Sequence, residues 1–193
     1  MVTESDIMNL ALTRLGQSII LDVELSELQN AKVVRTHYPA ARDHCLRLGD
    51  WSFATKRQVL SPAQQAPAFG YEYKYELPHD YIGEQFISDT NGNEVDYEIE
   101  GGRTLLCNSN GIRLTYTYRE ENTTNFSPEF ITLLKIYLAK EIAYPITLSE
   151  PVSRSVRDEF EETKVECLSM DSKGSGYDNQ TGSIELGGEA WLS

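Results

Sequence analysis

Basic residues are scarce in this chain: 17 Lys and Arg stand against 30 Asp and Glu, a formal net charge of −13 at pH 7. Sequence-independent binding to DNA or RNA works by neutralising phosphates and releasing counterions, so a surface this acidic excludes nucleic acid as an adhesive partner. Long hydrophobic runs are missing too. No apolar stretch approaches the ~20 residues that a membrane helix needs, and the opening Met-Val-Thr-Glu-Ser-Asp has neither the basic nor the apolar region of an export signal. These absences predict a soluble chain made in the cytoplasm, with no membrane partner. Cysteine is rare as well. Cys45, Cys107 and Cys167 are odd in number, far apart and set among apolar residues, which predicts reduced core thiols.

The constellations that carry catalysis are also lacking. A Gly-rich phosphate loop followed by Lys-Ser/Thr does not occur, and Gly101-Gly102 falls between strand patterns, where it marks a hairpin. His37 and His44 can share a helix face, but no Cys or carboxylate completes a zinc set, and His79 stands alone after Pro78. The stretch Asp89-Thr-Asn-Gly-Asn-Glu does not follow the twelve-residue pattern of a calcium loop closed by a terminal Glu and reads as a turn. No catalytic residue, metal or cofactor is therefore expected, and the chain is read as a non-enzyme.

What is present is a clear change of period. Thr3 and Asp6 have capping-box spacing ahead of a helix carrying Ile7, Leu10, Ala11 and Leu15, closed by Gly16. After an apolar connector at 19–23, Ser26 and Gln29 predict the start of a second helix reaching Leu48, with a kink or break near His37-Tyr38 because Pro39 lies inside it. From Trp51 to Arg119 the pattern alternates, with Tyr71, Tyr73, Tyr75 and Leu77 opposing Glu72, Lys74 and Glu76. With Gly101-Gly102 and Asn110-Gly111 as hairpin signals, the segment predicts a single antiparallel meander. Helical period returns at Ser127-Pro128, stops near Tyr144-Pro145, and resumes at Pro151 in a helix with an acidic face of Asp158, Glu159, Glu161, Glu162 and Glu166.

The predicted fold is α+β. Residues 1–50 and 120–171 form one discontinuous helical bundle, because an apolar-faced helix must find another layer to cover it. Residues 51–119 form an inserted antiparallel β subdomain, and 172–193 form an extended, flexible C-terminal tail. Five of the 13 glycines fall in that tail, which cannot bury enough apolar surface to order itself in isolation. Its Ile184, Leu186, Trp191 and Leu192 are the candidate partner-binding anchors on a tether; the alternative is that Trp191 packs back on its own domain. Deleting 172–193 is expected to leave the melting temperature nearly unchanged while weakening docking to a partner.

Several local words occur together in a characteristic order. They are Leu-Thr-Arg-Leu-Gly at 12–16, a helix with Ala31, Tyr38, Ala41-Arg42-Asp43 and Leu46, Trp-Ser-Phe-Ala at 51–54, and Gly-Tyr-Glu-Tyr-Lys-Tyr-Glu-Leu-Pro-His-Asp-Tyr at 70–81. In this order, from the first helix to about Asp171, the chain resembles the tail tubular protein A family of tailed bacteriophages. The resemblance implies a structural virion protein, a head-to-tail adaptor forming a ring of about twelve copies by closed heterologous contacts. It implies a portal protein above, a tail nozzle protein below, and DNA as cargo passing through without specific binding. Trp51 and Phe53 would seat the first strand on the bundle, and Pro78 and Asp80 would turn the chain between strands. The competing reading is a small cytoplasmic ligand-binding or enzymatic domain with a pocket between bundle and sheet.

Overall fold

A computed structural model describes residues 2–174. The tail anchors Ile184, Leu186, Trp191 and Leu192 lie outside the described residues. The architecture is α+β, four helices with two small antiparallel sheets between the second and third.

Helix α1 (Glu4–Arg14) begins with a complete capping box: the Thr3 hydroxyl accepts from the Asp6 amide at 3.1 Å while the Asp6 carboxylate accepts from the Thr3 amide at 2.8 Å. It ends at Gly16, whose φ of 72° lets the Gln17 amide turn back to the Leu12 carbonyl. Helix α2 (Gln29–Arg47) starts later than the Ser26-Gln29 spacing predicts. Ser26 instead accepts from the Leu28 amide at 3.3 Å and holds the turn before the helix. Of the kink or break expected near His37-Tyr38, the break does not occur: the helix is continuous through Pro39. Pro39 sits on the exposed side, where water can meet the freed carbonyl, while Ala31, Val34, Tyr38, Ala41 and Cys45 hold the opposite face in the core.

Helix α3 (Pro128–Thr147) opens with Ser127 accepting from the Phe130 amide and Pro128 at the first turn. It runs through Pro145, where a stop was predicted, and ends at Leu148 in the left-handed region, φ 51° and ψ 29°. Helix α4 (Glu150–Gly174) packs along α3, and α3 also contacts α1 and α2, so both chain halves build one bundle. Leu148 is 77% exposed, so its side chain returns little packing for the strain of a left-handed Cβ-bearing residue. Leu148→Gly is therefore expected to stabilise the protein by about 1 kcal/mol, read as a higher denaturation midpoint at unchanged slope.

The β segment corrects the single meander. Strands β1 (Thr55–Leu60), β3 (Tyr81–Asp89) and β6 (Ile112–Tyr118) form one sheet in the order β1-β6-β3. Strands β2 (Tyr73–Glu76), β4 (Tyr97–Glu100) and β5 (Thr104–Cys107) form another in the order β2-β5-β4. Gly101 and Gly102, with φ of 58° and 68°, do close the β4-β5 hairpin. Asn110-Gly111 makes no hairpin: it is the corner where the chain leaves β5 in one sheet for β6 in the other. Tyr75 holds that corner, donating its hydroxyl to the Ser109 carbonyl and accepting from the Gly111 amide at 2.7 Å. Gly111, φ 90°, suits the position, since an added Cβ would also press on Thr90 at 3.2 Å. Asp89 caps its own turn, accepting from the amides of Asn91 and Asn93 at 2.8 Å each.

Two clusters of buried side chains result. The helical one gathers Ile7, Leu12, Leu46, Leu133 and Leu134 around Trp51 and Phe130; the sheet one gathers Tyr75, Leu105, Cys107, Ile112 and Leu114. All three cysteines are buried and free.

Candidate assembly surfaces

The motif residues meet at the junction of bundle and sheet. Trp51 is fully buried, donates from Nε1 to the Cys45 carbonyl at 3.0 Å, and packs edge-on to Phe130 with ring centres 5.1 Å apart. Phe53 follows in a short 3-10 turn (Ser52–Ala54) and lies 5.1 Å from Phe130 and 5.6 Å from Phe126. Its carbonyl accepts from the Tyr118 hydroxyl at 3.4 Å. Lys56 lies 3.8 Å over the Tyr118 ring and donates to Asp80 at 2.6 Å. The turn at Pro78 is closed by the Tyr81 amide on the Pro78 carbonyl, and the Asp80 carbonyl accepts from the Arg119 amide at 2.7 Å. Asp80 therefore ties β1, the start of β3 and the end of β6. Burial works to raise its carboxyl pKa, but the Lys56 ammonium and the Tyr116 hydroxyl outweigh it and hold the group below its ordinary value.

Beside this junction an ion network joins α2 to the segment that follows β6. Arg42, buried on α2, binds Asp43 and Glu121 at 3.1 Å each, and Arg119 reaches Asp43 at 2.8 Å. Glu120 is 7% exposed and accepts from the Tyr118 hydroxyl, the Asn122 amide and Asn125 at 2.5, 2.8 and 2.7 Å. On the neighbouring helix faces, His44 stacks on Tyr137 at 4.2 Å, and Lys140 lies 4.8 Å from the Phe160 ring centre. Partial burial lowers the His44 pKa first, and the Lys140 charge adds to it. His37 and His79 do not join His44 in any group of metal ligands among the described residues.

The connector between α1 and α2 has the most distinctive exposure. Asn9 brackets Ile20 through its amide and carbonyl at 2.9 Å each, Asn30 donates to Gln17 at 2.9 Å, and Arg35 donates to the carbonyls of Val23 and Glu24. Ile20 and Val23 are thereby buried, whereas Ile19, Leu21, Leu25 and Leu28 are 67%, 101%, 78% and 61% exposed. Four large exposed apolar residues within ten positions of a tied-down loop are a denser display than the single scattered ones ordinary on a surface. The apolar character of this stretch is plain in the sequence; its outward display is not.

The acidic face of α4 is exposed at Asp158, Glu161, Glu162 and Glu166, while Glu159 is taken by Arg14 in a two-pronged pair at 2.8 and 3.0 Å. Shallow concavities are lined by residues 94–97 and by Glu150, Pro151, Arg154, Ser155 and Asp158, and neither of these lies between bundle and sheets. Among the described residues, no helix is long and apolar enough to cross a membrane. Neither a family model nor a curated protein matches the chain.

Proposed function

We propose that this chain is a head-to-tail adaptor of a tailed bacteriophage virion. Copies of it form a ring between the portal and the tail nozzle, and packaged DNA passes through the ring. The observation that carries the reading is the pinned connector with four large apolar side chains turned to solvent, a costly display for a solitary subunit and a useful one for an assembling subunit. Two further features support it. Of the local words that resemble the adaptor family, the one at 51–54 and the Pro78–Tyr81 end of the one at 70–81 meet at one bundle-to-sheet junction held by Lys56, Tyr118 and Asp80. The exposed carboxylates of α4 suit a wall that must not hold DNA, because each cation on a phosphate adds a salt-dependent brake.

Mass photometry of the full chain mixed with a matching portal tests the reading. A new species of portal plus a complete set of adaptor copies is the expected result. Persistence of free portal and free monomer at micromolar concentrations of both refutes it.

A further inference from the structure

We propose that the outer face of the β1-β6-β3 sheet on one copy receives the apolar connector, residues 19–28, of the next copy, so that neighbouring subunits join head to tail. The proposal rests on the adaptor reading, and names the contact between its subunits.

Strand alternation defines the receiving face. Leu60, Leu114 and Ile87 point into the sheet core, so Arg57 and Val59 on β1, Arg113 and Thr115 on β6, and Phe86 on β3 point away from it. Val59 is 67% and Phe86 49% exposed. Arg57 and Arg113 are exposed, and neither has a carboxylate within ion-pair distance among the described residues. The open part of this face thus combines two exposed apolar side chains, Val59 and Phe86, with two cations, while Thr117 and Ser88 on the same face are buried. It calls for an apolar partner of the opposite sign.

The connector has that chemistry. Ile19, Leu21, Leu25 and Leu28 are interspersed with the exposed carboxylates of Asp22 and Glu24. The two surfaces are carried by different parts of one copy. Asn9, Asn30 and Arg35 tie the connector to α1 and α2, whereas the pair Val59 and Arg113 lies toward the Leu60-Ile112 end of the sheet, away from the Thr55-Thr117 end that leads out of Trp51. Two different, mutually complementary faces make a heterologous contact, the kind that repeats around a ring. The apolar side chains would supply most of the affinity, while the exposed charges set orientation and give the contact a mild salt sensitivity.

The test is oxidative cross-linking of the full chain carrying Leu21→Cys and Val59→Cys together, run with and without a matching portal. The native thiols are buried and do not compete. A ladder extending beyond dimer, in which peptide mapping finds mixed 21–59 disulfides, is expected for the double variant; the single variants link only like to like and stop at dimer, and a ladder built of 21–21 and 59–59 links alone overturns the proposal. Adding Arg57→Glu and Arg113→Glu should cut the ladder several-fold, and a further Glu24→Lys should restore part of it. A double variant that links no further than the single ones overturns the proposal, as does a ladder indifferent to charge reversal. Linkage of Leu21→Cys to a cysteine placed at Trp191 also overturns it, by showing that the terminal segment occupies the connector. Rings seen on the portal without the ladder would leave the adaptor reading standing and remove only this contact; a ladder from a chain that never binds portal would do the reverse.

Discussion

Trp51→Ala is expected to destabilise the protein by about 3–5 kcal/mol, a large share of what a domain of this size possesses. The side chain is fully buried, so truncation opens a cavity of nearly a whole indole between the bundle and the start of β1. The loss goes beyond volume. Phe130 loses its edge-on partner, Phe53 loses a ring 6.1 Å away, and the Cys45 carbonyl near the end of α2 loses its indole donor. Trp51→Phe keeps much of the ring and should lose roughly 1–3 kcal/mol. Urea titration at constant slope measures both. A Trp51→Ala loss below about 1 kcal/mol would mean that the junction repacks and that the motif word at 51–54 does not organise it.

Glu120→Ala is expected to cost about 1–2 kcal/mol, since it removes the shared acceptor of the Tyr118 hydroxyl, the Asn122 amide and Asn125. The same carboxylate makes stability depend on pH. Burial acts to raise its pKa, but its donors, Tyr118 foremost, outweigh burial and bring the folded value below the ordinary 4.5. A depressed folded pKa means that this stabilisation is complete above the unfolded value and is lost as pH falls through the folded one. Stability should accordingly drop on acidification below about pH 4.5. Asp80, depressed for a similar reason, adds a contribution of the same sign, so Glu120→Gln should flatten the acid limb without abolishing it. A Glu120→Gln variant with the wild-type acid limb would show that this carboxylate does not contribute.

Local chemistry made the helix ends legible wherever one signal sufficed. Thr3 with Asp6, Gly16, and Ser127 with Pro128 sit where their side chains and dihedral angles demand. The misreadings come from signals with two outcomes. Ser26-Gln29 has capping-box spacing, yet the chain spends Ser26 on a turn because the connector must first bury Ile20 and Val23. Pro39 and Pro145 are local breakers, but each helix gains enough packing on its far face to run through them. Asn110-Gly111 is the same dipeptide whether it closes a hairpin or a corner. The corner is set by non-local pairing, β5 with β2 and β4 and β6 with β1 and β3, and the distant Tyr75 hydroxyl binds both sides of the turn to hold it.

The site was legible to a smaller degree. Trp51, Phe53, Pro78 and Asp80 stand out as words, but the network that joins them runs through Lys56 and Tyr118, which no spacing rule connects. The connector at 19–23 reads from sequence only as apolar, and nothing in its spacing shows that Ile19, Leu21, Leu25 and Leu28 face solvent. Apolarity alone does not say whether the layer that covers a side chain belongs to the same chain.

The most direct test of the adaptor reading is negative-stain microscopy of the full chain incubated with a matching portal. The account predicts a second ring stacked coaxially on the portal with an open central channel. Bare portal rings beside dispersed monomers, at concentrations where both are well above micromolar, would contradict it.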